Sequence, residues 1–222
     1  MRYLRSLIIA LGMGGALAIA GCGSIDTGMP SIQSLPKLLK KPAPAVLADE
    51  GAIAAEALAR TPLPSTLVVI EGRKTTTTVL LIEQNGIYET WASSDRRTIT
   101  LVNGMITATR GLGQDIMSSE TGASRELLAA RRGGVVQRTQ RYLDGENQTV
   151  ELVADCQITR GGTFKVAAGE ISTSAVLMQE RCSAEDTQFA NEYSVDSRGR
   201  VVQSRQWLGP RNGYITLKRL RF

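Results

Sequence analysis

The chain has 222 residues, with 26 Lys and Arg against 21 Asp and Glu, a net charge of +5, and no histidine. The missing histidine excludes Ser-His-Asp and Cys-His catalysis, His-ligated zinc and imidazole proton shuttling. Arg2 and Arg5 precede the first long apolar run, so the rest of the chain carries 24 − 21 = +3, which gives no case for nucleic-acid binding.

Residues 1–21 read as a secretory signal. Two arginines are followed by the uncharged run Leu7 to Ala20, about 21 Å as a helix against a hydrocarbon core of about 30 Å, so the run is too short to span. Ile19-Ala20-Gly21-Cys22 closes it as a lipobox. Cleavage before Cys22 and lipidation of its thiol are expected. The competing reading is an ordinary signal peptide with a cysteine near the cut. Gly23 follows Cys22, so the Asp signal for inner-membrane retention is absent, and the outer membrane with a periplasmic domain is predicted.

Residues 22–45 form a tether holding Pro30, Pro36, Pro42 and Pro44 of the seven prolines. Proline fixes φ and removes a donor, so an extended segment is expected. Residues 46–222 then form one β-rich domain. Its first element, Asp49 to Arg60, is alanine-rich with acids in the first turn and predicts a short helix. Pro62 and Pro64 interrupt the chain before strands near 67–72, 76–84, 87–92, 97–102, 105–110, 134–143, 148–158, 175–182, 187–195, 200–208 and 213–221. Asn85-Gly86, Asn103-Gly104, Asp144-Gly145 and Arg198-Gly199 supply the positive-φ turns of an antiparallel meander. The fold class is all-β, an antiparallel sandwich or flattened barrel of about ten strands.

At Asn103-Gly104 a two-residue turn pairs Val102 with Met105, Leu101 with Ile106, Thr100 with Thr107 and Ile99 with Ala108, sorting apolar from polar faces. At Asn85-Gly86 the same turn would set Ile82 against Glu89, so a bulge is expected there. After Arg110 the chain leaves the sheet at Gly111, and Asp115 is placed to cap a turn of helix through Ser118. Residues 124–131 predict a second short helical segment.

With Cys22 lipidated, Cys156 and Cys182 remain as a pair in an oxidising compartment. A disulfide is expected, with two buried free thiols as the alternative. Gly111-Leu112-Gly113 resembles part of a phosphate loop but lacks the Lys-Ser/Thr that opens the following helix. Asp95 beside Arg96 and Arg97 suggests an ion pair, and Asp115 with Glu120 is either a glycosidase-type carboxylate pair or a helix cap and a solvated side chain. Trp91 and Trp207, the only tryptophans, serve either a sugar-stacking platform or the core. No acid follows Asp196, while Arg198, Arg200, Arg205, Arg211, Lys218, Arg219 and Arg221 do. This is either a solvated strand face or a patch for anionic polysaccharide or headgroups.

Trp91-Ala92-Ser93-Ser94-Asp95, then Leu101-Val102-Asn103-Gly104-Met105-Ile106 leading to Thr109-Arg110-Gly111-Leu112-Gly113-Gln114-Asp115, resembles the group 4 capsule polysaccharide lipoprotein family (YjbF/GfcB type). Trp207-Leu208-Gly209-Pro210 with Gly213 is a weaker echo. The resemblance covers roughly 65–222, leaving the alanine-rich segment and the tether outside. It implies an antiparallel sandwich or flattened barrel and a lipid-anchored accessory of exopolysaccharide or capsule secretion. Expected partners are an outer-membrane barrel and a periplasmic polysaccharide-export protein. The family supplies no catalytic residues, so a non-enzymatic protein without cofactor or metal is expected. Candidate partner or glycan contacts are Trp91, Asp95, Arg110, Gly111, Gly113, Asp115, Trp207 and Arg211. The alternative function is a periplasmic glycan-binding module using Trp91, Trp207 and the basic C-terminal region.

Overall fold

The computed structural model describes residues 49–222, so Cys22, the signal and the tether lie outside the described residues. Helix α1 (Glu50–Arg60) begins where Asp49 accepts hydrogen bonds from the amides of Gly51 and Ala52, satisfying donors that the first helical turn leaves orphaned. Twelve strands follow: β1 (Ser65–Ile70), β2 (Thr75–Asn85), β3 (Tyr88–Ala92), β4 (Thr98–Val102), β5 (Met105–Arg110), β6 (Ile116–Glu120), β7 (Gly134–Leu143), β8 (Thr149–Ala168), β9 (Ile171–Ser183), β10 (Gln188–Asp196), β11 (Val201–Trp207) and β12 (Tyr214–Arg221). Helix α2 (Gly122–Ala129) joins β6 to β7.

All the strands form one antiparallel sheet in the order β5-β4-β3-β2-β1-β12-β11-β10-β9-β8-β7-β6. The sheet curls into a nearly closed barrel whose two edge strands, β5 and β6, are consecutive in the chain. The expectation of a flattened barrel holds, with twelve strands in place of about ten. Leu101, Ile106 and Ile116 near the seam pack with Val68, Trp91 and Ile215 in one core cluster. A second cluster of Leu128, Ile158, Met178, Tyr193 and Val195 lies under α2. On the outer side of β1 and β12, Ala54 of α1 meets Leu67 and Leu220, so β1 is buried on both faces.

Three expectations change. Residues 116–118 form the start of a strand rather than a helical turn, because Asp115 caps the loop before it and not a helix. Strands β8 and β9 are much longer than expected. Their register shifts between Arg160 and Thr163, at Gly161-Gly162, and the pairing then resumes to Ala168↔Ile171. Glycines and polar side chains hid this extension, whose tip bonds to β12 through Glu170 N and Leu220 O at 2.9 Å. At Asn103-Gly104 the first two expected pairs form, but a bulge follows: Thr100 pairs with Ala108 and Ile99 with Thr109. Thr107 is the residue left over, and its hydroxyl donates to Thr100 O at 3.1 Å. At Asn85-Gly86 the expected bulge is present, and it expels Ile82 to solvent.

Candidate functional site

The barrel seam carries no β5–β6 ladder; side chains close it. Asp115 accepts from Gly111 N at 2.8 Å and Leu112 N at 3.0 Å, and from the Thr109 hydroxyl at 2.8 Å. Thr109 in turn accepts from Ile116 N at 3.0 Å. Arg110 spans the seam, donating to Thr109 O at 2.6 Å and Ile116 O at 3.1 Å. Gly111 sits at φ +85°, and an added Cβ would lie 3.1 Å from Arg97 Cγ. The position therefore demands glycine both for conformation and for its approach to the neighbouring turn.

That turn is the β3–β4 connection. Ser93 N donates to Arg97 O, and Arg96 N donates to Ser93 O, both at 3.0 Å. The Ser93 hydroxyl donates to Asp95 and accepts from Arg97 N. Arg97 Nε lies 3.0 Å from Asp95 Oδ2. The Ser93 hydroxyl, helped by the Arg97 charge, holds the Asp95 carboxyl below its ordinary range. Between this turn and the start of β2 lies a cleft of about 250 Å³ whose lining includes Leu112 of the seam loop.

A third segment completes this end of the barrel. Asn212, almost fully buried, donates to Gln114 O at 2.6 Å, and Arg211 N donates to Gln114 Oε1 at 3.3 Å. Arg73 donates to both Leu112 O and Asn212 Oδ1. Residues near 73, 93–97, 109–115 and 209–213 thus meet, although the sequence separates them by up to 139 positions. Of the candidate contacts, Asp95, Arg110, Gly111, Gly113, Asp115 and Arg211 belong to this end. Arg73 and Asn212 were missed, while Arg97 entered only as an ion-pair partner of Asp95, a pair that forms. Asn212 lies within the Gly209–Gly213 echo, whereas Arg73 carries no local signal.

The two tryptophans do not join them as a surface. Trp91 is fully buried, its indole N–H donating to Glu89 at 3.2 Å while the Arg219 guanidinium lies 4.2 Å from the ring centroid. Trp207 stacks on Phe189 at 4.4 Å beside the Cys156–Cys182 disulfide, which joins directly paired residues of β8 and β9. An exposed sugar platform from these rings is therefore not formed.

The basic C-terminal run is also largely spent inside the domain. Arg200 pairs with Asp196, Arg205 with Glu71, Lys218 with Glu50, Arg219 with Glu89 and Arg221 with Glu170. Asp115 and Glu120 have separate duties as well, since Glu120 pairs with Arg141 while Asp115 holds the loop. Cys156, Glu180 and Cys182 lie close together, but both thiols are committed to the disulfide.

The motif segments that meet at the seam are those carrying the family resemblance. The model of the group 4 capsule polysaccharide lipoprotein family, GfcB/YjbF, matches residues 32–220. The chain belongs to this family. The match extends over α1 and into the proline-rich segment, further than the expected 65–222. Among solved structures, the lipoprotein YmcC from Escherichia coli K12 is similar at a TM-score of 0.66 and 19% identity, covering 77% of this chain and 89% of that one. At that identity the likeness shows the fold. No curated protein matches the chain. Family membership makes the chain a capsule polysaccharide-associated lipoprotein of the cell envelope. Among the described residues no helix is long and apolar enough to cross a membrane.

Proposed function

We propose that this protein is an outer-membrane lipoprotein, anchored through Cys22 with its barrel in the periplasm, that serves exopolysaccharide or capsule secretion as a non-enzymatic accessory or assembly factor. The observation that carries this reading is the convergence of residues 93–97, 109–115 and 209–213, which lie in or beside the family-like segments, on one end of the barrel. There they form a surface fixed by backbone and side-chain hydrogen bonds. Catalysis has little support, because both oxygens of Asp115 serve the loop. A lipid anchor confines such a surface to the membrane plane and raises its effective concentration toward a membrane-bound partner. The partners that fit are an outer-membrane barrel and a periplasmic polysaccharide-export protein. Glycan binding through Trp91, Trp207 and the C-terminal arginines loses its motive, since both rings are buried and most of those cations are paired.

The test is a crosslinking pull-down of the lipidated protein from native membranes. Recovery of a barrel or export protein, lost on Arg211→Glu, supports the reading; repeated recovery of the lipoprotein alone overturns it. Processing of the precursor should be blocked by globomycin and by Cys22→Ser, and cleavage indifferent to both would remove the anchor.

A further inference from the structure

The cleft beside the β3–β4 turn has a composition that none of the preceding roles uses. Its floor is aliphatic, built from Val68, Ile70, Val79, Ile99 and Leu112. Register places Thr77 opposite Val68 and Thr75 opposite Ile70, so their side chains share that face. Thr75, Thr76, Thr77 and Ser94 add hydroxyl-bearing residues to the lining of the cleft. Only two charged side chains line it, Asp95 and Arg97, and they neutralise one another at 3.0 Å. Both remain about half exposed, at 54% and 41% of their side chains, and so keep free acceptors and donors. The hydrogen bonds of Ser93 fix the turn, so the pair is preorganised.

We infer that this cleft binds one methyl-bearing neutral sugar residue, a 6-deoxyhexose or an N-acetylhexosamine, with the methyl group on the aliphatic floor and adjacent hydroxyls on Asp95 and Arg97. Three features select this class. A carboxylate beside a guanidinium offers an acceptor and a donor a few ångströms apart, which matches a vicinal diol. The absence of net charge gives an acidic sugar no advantage. No aromatic ring lines the cleft, so ring stacking is absent, and an apolar group small enough for a Val/Ile/Leu floor replaces it. A volume of about 250 Å³ is below the roughly 300–1,000 Å³ of sites for drug-sized ligands and suits a single sugar unit. The biological sense of the site rests on the secretion reading, whereas its chemistry does not.

The experiment is saturation-transfer NMR on the full lipidated protein in nanodiscs. The probes are L-fucose against L-galactose, L-rhamnose against L-mannose, and N-acetylglucosamine against glucose. The methyl-bearing member of at least one pair should bind about fourfold tighter or better, the worth of one buried methyl group. Its methyl protons should take up the strongest saturation. Asp95→Asn should weaken binding by about tenfold, in line with loss of a charged acceptor. Thr77→Trp should abolish it by filling the cleft while the circular dichroism of the barrel is unchanged. Equal binding within every pair, saturation spread evenly over the ring, or indifference to both variants overturns the assignment. Saturation of decanoate without any sugar also overturns it, and gives the cleft to an apolar chain. The titration reads the cleft and the pull-down reads the partner, so either reading can fail without the other.

Discussion

Arg138 Nη1 lies 2.9 Å from Glu180 Oε2, and the two side chains are 1% and 0% exposed. They stand on β7 and β9, two strands apart, so the arginine reaches across β8. Its partner there is Ala154, small enough to let the guanidinium pass. Asn191, Ser124 and Tyr193 complete the shell of the carboxylate at 2.8, 2.7 and 3.1 Å. Burial disfavours the charged carboxylate, but the Arg138 charge and these hydrogen bonds outweigh it and hold Glu180 below the usual carboxylate range. Burial first, and then the neighbouring Glu180 charge, push the Tyr193 hydroxyl well above its ordinary value, against the lowering effect of Arg138.

Removing one partner of this pair leaves the other charge buried. Glu180→Ala should therefore cost about 3–5 kcal/mol in denaturant unfolding. Replacing both partners, as in Arg138→Met with Glu180→Leu, should restore much of the loss, because the desolvation of both ions disappears with them. A double variant no more stable than the single one would contradict this account.

The same pair sets an acid limit. Glu180 has a lower pKa folded than unfolded, so its contribution is complete above the unfolded value of about 4.3 and is lost as pH falls through the folded value. Urea midpoints measured from pH 6 downward should fall below about pH 5, and the Arg138→Met, Glu180→Leu variant should show a shallower fall.

Gln206 protects the free edge of β5 from the opposite side of the barrel. Its Oε1 accepts from Ile106 N at 2.9 Å, and its Nε2 donates to Gly104 O at 2.8 Å. An unpaired buried backbone group costs about 1–3 kcal/mol, so Gln206→Leu should destabilise by at least that amount. Amide exchange should speed up at Ile106 more than at Leu217. Gly104 fits this contact closely: its φ is +75°, and a Cβ there would stand 2.8 Å from Val201 Cβ. Gly104→Ala should therefore be as damaging as the Gln206 change.

The disulfide closes a sequence separation of 26 residues, worth about 3.5 kcal/mol on the chain-entropy relation. Denatured, unreduced mature protein should show no reactive thiol beyond any on unlipidated Cys22. Cys156→Ala with Cys182→Ala should lower stability by about 2–4 kcal/mol while leaving the fold intact.

Loss of the seam cap should act locally. Asp115→Ala strands the amides of Gly111 and Leu112 and frees Thr109, so protease nicking near residues 111–116 should rise with a stability loss of about 1–2 kcal/mol.

The sequence by itself determined the all-β class, the short helix at Asp49, the disulfide partners and the hairpins at Asn85-Gly86 and Asn103-Gly104. These rest on local signals: positive-φ turns, β-branched runs, an acid at a helix start, and two cysteines left once Cys22 is set aside. Only the tertiary structure decided the rest. Strand β6 has five residues, IMSSE, too short and polar to announce a strand, and exists because β7 pairs with it. The outer half of the β8–β9 hairpin is interrupted by Gly161-Gly162 and carries few large apolar residues, and it is held by a small cluster of Val166, Ala175 and Val202 and by the bond of its tip to β12. Burial of Trp91 and Trp207 and pairing of the C-terminal arginines depend on partners such as Glu89, Glu71 and Phe189 that lie far away in the chain or on neighbouring strands. The cleft joins β1, β2, the β3–β4 turn and the seam loop, and no local pattern specifies it, because the curl of the β1–β5 meander is what turns those four segments toward one another.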